Sequence, residues 1–296
     1  MTAPAWHVLG AGAMGCLFAS RLQLANCAAS LILRPGFSSK FTTVTVEQAD
    51  KITELSVAAS TPSDDDYISH LLITTKAQDI AASTRSIKHR LDANSQVLVL
   101  SNGLGYAEEL AAILPGSSCF FGATTEGAYR LGARHIRYAG QGITRIGHIQ
   151  SRSPPDWFRH WSTALNSRWS HTIEEVLWHK FAINCAINPL TAVHGCLNGE
   201  LVAPGKWLEV EKICQEIEAV STLEGTAAAI GDLLTEVNIV VSGTAKNRSS
   251  MLQDVLAGRP TEIQYLTGYL LHRAKRYGIS LPANRAVYEQ VVKLNT

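Results

Sequence analysis

Trp6-His7-Val8-Leu9-Gly10-Ala11-Gly12-Ala13-Met14-Gly15 is the stretch from which the fold is read. An apolar run leads straight into G-x-G-x-x-G, and a helical stretch from Cys16 to Ala25 follows. Each glycine answers a separate demand. The first permits a tight turn, the second lets backbone approach a pyrophosphate, and the third lets the helix pack on the strand. The hexapeptide alone is a weak signal. With a strand before it and a helix after it, the motif points to dinucleotide binding at a helix N-terminus, where free N–H groups and the positive dipole end meet phosphate.

Outward from this motif, short β-rich runs alternate with helical stretches. Ser30–Leu33, Leu71–Thr75, Gln96–Leu100 and Cys119–Gly122 read as further strands, which predicts right-handed crossovers and a mostly parallel sheet. Gly142–Gly147 reads as another strand, expected to form an edge hairpin with Ile136-Arg137-Tyr138, and Ser153-Pro154-Pro155 opens a helix carrying Trp157, Phe158, Trp161 and Leu165. From Ile173 to Leu294 helical periodicity dominates, broken at 195–199, Pro204-Gly205 and 258–260. The expected class is α/β: an N-terminal Rossmann-type dinucleotide-binding domain over residues 1–170 and a C-terminal all-helical domain over 171–296, with a catalytic cleft between them.

Composition narrows the function. In 296 residues, 26 Lys+Arg balance 25 Asp+Glu for a net charge of +1, so no global field attracts nucleic acid or anionic lipid. Cysteines at 16, 27, 119, 185, 196 and 214 form no C-x-x-C pair, which suggests neither a disulfide framework nor a zinc site. They read as reduced, mostly buried thiols. The uncharged stretch Thr2–Ser20 lacks the positive n-region of a signal peptide, and no long apolar run predicts a membrane span. The expectation is a cytoplasmic protein with no metal, no nucleic-acid partner and no membrane attachment.

The second strand decides which dinucleotide. An NAD site usually places Asp or Glu there, about 20 residues past the glycines, to bond the ribose 2′-OH. This chain has Arg34 and no acid nearby. A guanidinium can grip a 2′-phosphate with two parallel bonds, so NADP(H) is the expected cofactor. Lys76 and Asn102 each close a strand at its carboxyl end, the edge where ligands bind in such sheets. On residue type alone, Lys76 reads equally as a surface lysine and Asn102-Gly103 as a turn.

Lys180, Asn184 and Asn188 recur at i, i+4 and i+8 on one ridge of a helix whose positions between them are apolar. A polar stripe on a nearly buried helix needs partners, and a ligand cleft supplies them. Pro189 removes one backbone bond and is expected to kink the helix near the stripe. His179 and His194 read as structural histidines, and the tryptophans as packing.

These segments, with Ser101-Asn102-Gly103-Leu104-Gly105, Lys180 to Ala192 and Ser249-Ser250-Met251-Leu252-Gln253-Asp254, resemble the 2-dehydropantoate 2-reductase (ketopantoate reductase) family across nearly the whole chain. Residues 35–65 and 150–172 match little. The resemblance implies NADPH-dependent reduction of ketopantoate to pantoate on the route to pantothenate and coenzyme A. It makes Lys180 the general acid and Asn102, Asn184, Asn188 and Ser250 the substrate contacts, with Asn198 a weaker candidate. It assigns the cofactor to Gly10, Gly12, Ala13, Met14, Gly15, Arg34, Lys76, Asn102, Ala128 and Glu262. Residue chemistry alone leaves open whether Lys76 or Lys180 gives the proton. Another 2-keto acid as substrate, or a non-enzymatic NADP(H) sensor, also remains open, as does a monomer or a homodimer.

Overall fold

Residues 4–114 and 116–294 are described by the computed structural model, and they fall into two units. The first unit comprises residues 4–101 with Tyr106–Ile173, and the second Asn102–Gly105 with residues 174–294.

The first unit runs β1 (Trp6–Leu9), α1 (Ala13–Leu24), β2 (Ala29–Ile32), β3 (Phe41–Gln48), β4 (Lys51–Ser60), β5 (His70–Ile73), α2 (Ile80–Ser86), β6 (Gln96–Val99), α3 (Ala107–Ile113), β7 (Ser118–Thr124), β8 (Gly127–Gly132), β9 (His135–Gly140), β10 (Thr144–Gly147), α4 (Trp157–Ala164) and β11 (Ser167–Trp169). Its sheet has the order β11-β10-β7-β6-β5-β1-β2-β4-β3-β9-β8. The centre, from β7 through β6, β5, β1 and β2 to β4, is parallel throughout. Val8, Leu31, Leu72 and Leu98 are fully buried in it, as parallel strands covered on both faces require.

Two features depart from the sequence reading. The unmatched stretch after Arg34 forms an antiparallel hairpin, β3 with β4, whose Thr42 and Val44 are buried while Phe41 and Thr43 face out. The expected pairing of residues 136–138 with 142–147 does not occur. β9 pairs antiparallel with β8 and parallel with β3, whereas β10 pairs antiparallel with β7 and parallel with β11. Both edges of β9 are taken, by β8 and β3, so β10 cannot add to it. Glu126 ties the two segments together without pairing them. Its buried carboxylate accepts from Tyr138 Oη at 2.7 Å and from the Gly142 N–H at 3.1 Å, and it pairs with Arg21 of α1 at 2.5 Å. A Cβ on Gly142 would sit 2.3 Å from the Thr125 carbonyl carbon, so the chain there is pressed onto the backbone just past β7. Removing Arg21 would leave the buried Glu126 carboxylate without its counter-charge, the costly way to break such a pair.

Trp6, Trp157 and Trp161 pack edge to face with centroids 4.7–6.1 Å apart, which accounts for these tryptophans as core.

The second unit is helical: α5 (Ile173–His194), α6 (Pro204–Leu223), α7 (Ala227–Ile230), α8 (Leu233–Gly243), α9 (Ser250–Leu256), α10 (Thr267–Arg276) and α11 (Pro282–Leu294). α5 is its axis, and Phe181, Ala182, Cys185, Ala186 and Leu190 are buried with Ile213, Ile217, Val237 and Leu270 in one core. The helix continues through Pro189. Among the described residues, no helix is long and apolar enough to cross a membrane.

Candidate active site

The glycine motif folds as its spacing demands. Gly10 adopts φ +110°, and a Cβ there would lie 2.6 Å from the Thr75 amide nitrogen. A Cβ on Gly15 would lie 2.0 Å from the Gly10 carbonyl oxygen, so α1 packs against the turn only because that side chain is missing. Thr74 Oγ1 donates to the same carbonyl at 2.8 Å and pins the turn. Gly12 is different: a Cβ on it meets nothing within 4 Å. It is the N-cap of α1, with no side chain capping the helix and no acid in the first turn. The first-turn N–H groups of Ala13 and Met14 therefore lie at an uncompensated positive helix end beside an open backbone, a cradle that fits a pyrophosphate.

Arg34 follows β2, is exposed, and opens a turn closed by the Phe37 N–H on its carbonyl at 3.4 Å. Lys76 stands just past β5, half-buried, at the head of the single turn Ala77–Asp79. Ala128 lies on β8 and packs against the core of this unit.

In the second unit, the ridge on α5 grades from half-buried Lys180 and Asn184 to buried Asn188. Burial brings the Lys180 ammonium down from 10.5 to about 8, and the charge of Glu262 limits the fall. Glu262 is itself buried, at the head of the turn Ile263–Tyr265, and accepts from Asn102 Nδ2 at 3.4 Å. Asn102 is held there by backbone. The Leu104 N–H donates to the Tyr265 carbonyl at 2.9 Å, and Gly103, at φ +78°, lies so close that a Cβ would be 2.4 Å from that oxygen. The fold thus gathers Lys180, Glu262 and Asn102 from three separate segments.

Asn188 is tied to α9 through a buried residue the sequence reading passed over. Thr191 Oγ1 lies 2.9 Å from the Asn188 carbonyl oxygen and 2.7 Å from Ser249 Oγ. Ser249 caps α9 by accepting the Leu252 N–H at 3.0 Å, which leaves Ser250 exposed at the first position of the helix. A Ser-x-x-Leu at a helix start was the available signal. Asn198 is buried and donates to Thr244 Oγ1 at 2.9 Å, binding its own segment to the end of α8. His179 and His194 stand beside Glu236 and Glu209 at 3.8 and 3.2 Å.

Residues 6–151 match the sequence profile described as Ketopantoate reductase PanE/ApbA, and residues 172–295 match its C-terminal counterpart. The chain belongs to the ketopantoate reductase family. The 2-dehydropantoate 2-reductase of Vibrio cholerae serotype O1 is 34% identical over 292 residues, 97% of this chain and 96% of that protein. The enzyme of the same name from Salmonella typhi is 38% identical over 78% of this chain and 77% of its own. Among solved structures, a PanE/ApbA family ketopantoate reductase from Ralstonia eutropha JMP134 superposes with a TM-score of 0.85 at 25% identity, over 99% of this chain and 98% of that one. A D-mandelate dehydrogenase bound to NADH and anilino(oxo)acetate shares the fold at a TM-score of 0.89 and 20% identity, covering 99% of this chain and 98% of its own. The parallel-sheet unit and the helical unit described above are the architecture of a ketopantoate reductase.

Proposed function

We propose that the protein reduces 2-dehydropantoate to pantoate with NADPH, Lys180 supplying the proton. The observation that carries this reading is the Lys180 ammonium, brought to about 8 on a half-buried ridge with Glu262 and Asn102 gathered beside it. When bound, the reduced nicotinamide supplies the hydride to the C2 ketone. Negative charge then develops on the ketone oxygen. An ammonium already in place stabilises that oxygen and protonates it, and a value near neutrality keeps the donor charged yet willing to release the proton.

Glu262 offsets part of the desolvation of Lys180, so the group is still protonated at neutral pH. Asn102 Nδ2 donates to the Glu262 carboxylate, which fixes its direction. Asn184, Asn188 and Ser250 are assigned to the substrate's carboxylate and hydroxyl; neutral amides and a hydroxyl can bind these without discharging Lys180. Gly10, Gly12, Ala13, Met14 and Gly15 would hold the pyrophosphate. Arg34 would take the 2′-phosphate that distinguishes NADPH from NADH, with Lys76 and Ala128 further along the cofactor. Asn198, held through its Nδ2 by Thr244, stays the weaker candidate for a substrate contact.

The test is NADPH consumption with 2-dehydropantoate and a panel of other 2-keto acids, each repeated with NADH. The expected result is the highest kcat/KM for 2-dehydropantoate with NADPH. Faster turnover of another 2-keto acid would overturn the substrate, and equal use of NADH would overturn the cofactor.

A further inference from the structure

The sheet brings to the end of β2 a second guanidinium, 100 residues away in sequence, that has no part in the candidate active site. Arg134 lies in the turn between β8 and β9, and its carbonyl accepts the Thr45 N–H of β3 at 2.9 Å. Its guanidinium carbon is 5.6 Å from the ring centroid of Phe37. Phe37 is the residue that closes the turn opened by Arg34. Arg34 and Arg134 therefore flank one four-residue turn, Arg34-Pro35-Gly36-Phe37, at the carboxyl edge of the parallel strands.

Three observations set Arg134 apart from an ordinary surface arginine. Its φ is +57°, in the left-handed region where hairpin turns usually carry Gly or Asn, so an arginine there is held against its backbone preference. Neither Arg34 nor Arg134 has a carboxylate within ion-pair distance among the described residues. Glu47, on adjoining β3, is occupied by His135 at 2.8 Å and Arg137 at 2.7 Å. Finally, Arg134 Nε is buried with no hydrogen-bond partner, a donor shut away from water and unused. Arg134 and Arg130 are also near enough to α1 to bias the Cys16 thiol electrostatically, which places this positive charge beside the helix that starts at the glycine turn.

We propose that Arg134 is a second specificity residue for the cofactor, closing with Arg34 a two-guanidinium clamp on the 2′-phosphate monoester. The inference rests on the NADPH reading above. A doubly charged monoester offers three acceptor oxygens, more than one arginine fork can satisfy, and a second fork from across the turn supplies the remaining donors. Phe37 orients that fork by holding the guanidinium against its ring.

The test is calorimetric binding of adenosine 2′,5′-bisphosphate, with 5′-AMP as the control, to the full chain and its variants. Arg134→Gly is the chosen variant because glycine relieves the left-handed backbone and so folds at least as readily. It is expected to weaken the bisphosphate about 10-fold or more while 5′-AMP stays within about 2-fold, with Arg134→Lys between the two. Combined with Arg34→Ala, the losses should be less than additive, since both arginines grip one group. If Arg134→Gly leaves bisphosphate affinity unchanged while Arg34→Ala weakens it, the clamp is wrong and the NADPH reading survives. If the unaltered protein binds the bisphosphate no better than 5′-AMP, the clamp and the NADPH reading fall together.

Discussion

Replacing Lys180 with methionine should stabilise the fold while removing the proton donor. Methionine keeps much of the apolar stem and discards the charge. The ammonium's fall from 10.5 to about 8 means the folded protein binds that proton less well than the unfolded chain does. The lysine is therefore a net cost wherever both states are protonated, below about pH 8, and the cost fades as pH rises from there toward 10.5. At about 1.4 kcal/mol per pH unit, the fall sets a ceiling of about 3 kcal/mol at pH 7. The attraction of Glu262 is already contained in that net fall, and imperfect packing of the thioether where the lysine stem lay reduces the gain to about 1–2 kcal/mol. Urea denaturation of both proteins at pH 7 and pH 10 measures the difference. The variant should be the more stable at pH 7, and the gap should shrink at pH 10. A variant that is less stable at pH 7, or a gap that does not change with pH, would refute the reasoning.

The same group sets the pH profile: kcat/KM for keto-acid reduction should be flat below about pH 8 and fall tenfold per pH unit above it, while pantoate oxidation, which needs the neutral amine, should rise tenfold per unit up to about pH 8 and level off above it. Gly12→Ala and Gly15→Ala should separate binding from folding. The first meets no atom within 4 Å and should leave the melting temperature near that of the parent while weakening NADPH at least about tenfold; the second drives a Cβ to 2.0 Å from the Gly10 carbonyl oxygen and should cost about 1–3 kcal/mol or more in stability. Calorimetry and thermal melts on the pair decide this. His70 sits edge-on to Trp6 at 5.2 Å, and burial lowers it to about 4 from 6.5. Unfolded chains take up that proton first, so the protein should lose stability as pH falls from 6.5 toward 4, and His70→Asn should flatten that slope in urea titrations.

What the sequence disclosed follows from how local each constraint is. Gly10, Gly12 and Gly15 were legible because a strand-turn-helix with a bare N-terminus imposes glycine at fixed offsets. The ridge Lys180, Asn184 and Asn188 was legible because helical spacing alone aligns it. β3 and β4 carried their signal in Thr42-Thr43-Val44-Thr45-Val46, a period of two with one face buried, but their turn lacks the usual Gly or Asn and uses Ala49 at φ +49°. The false hairpin arose because residues 136–138 and 142–147 are both strand-like and adjacent, while the β3 edge that claims β9 lies far back in the sequence and leaves no signal beside it. Asn102 and Glu262, 160 positions apart, could be joined only through the family resemblance, since each by itself reads as a turn residue or a helix-start acid. Arg134 over Phe37 had no local signature at all.

The proton donor is the claim on which the rest depends, and chemical rescue tests it most directly. Lys180→Ala at saturating NADPH and 2-dehydropantoate should lose about 10²–10⁴ in kcat with the NADPH dissociation constant unchanged, and added methylamine should restore part of the loss. An unchanged kcat in Lys180→Ala would contradict the account.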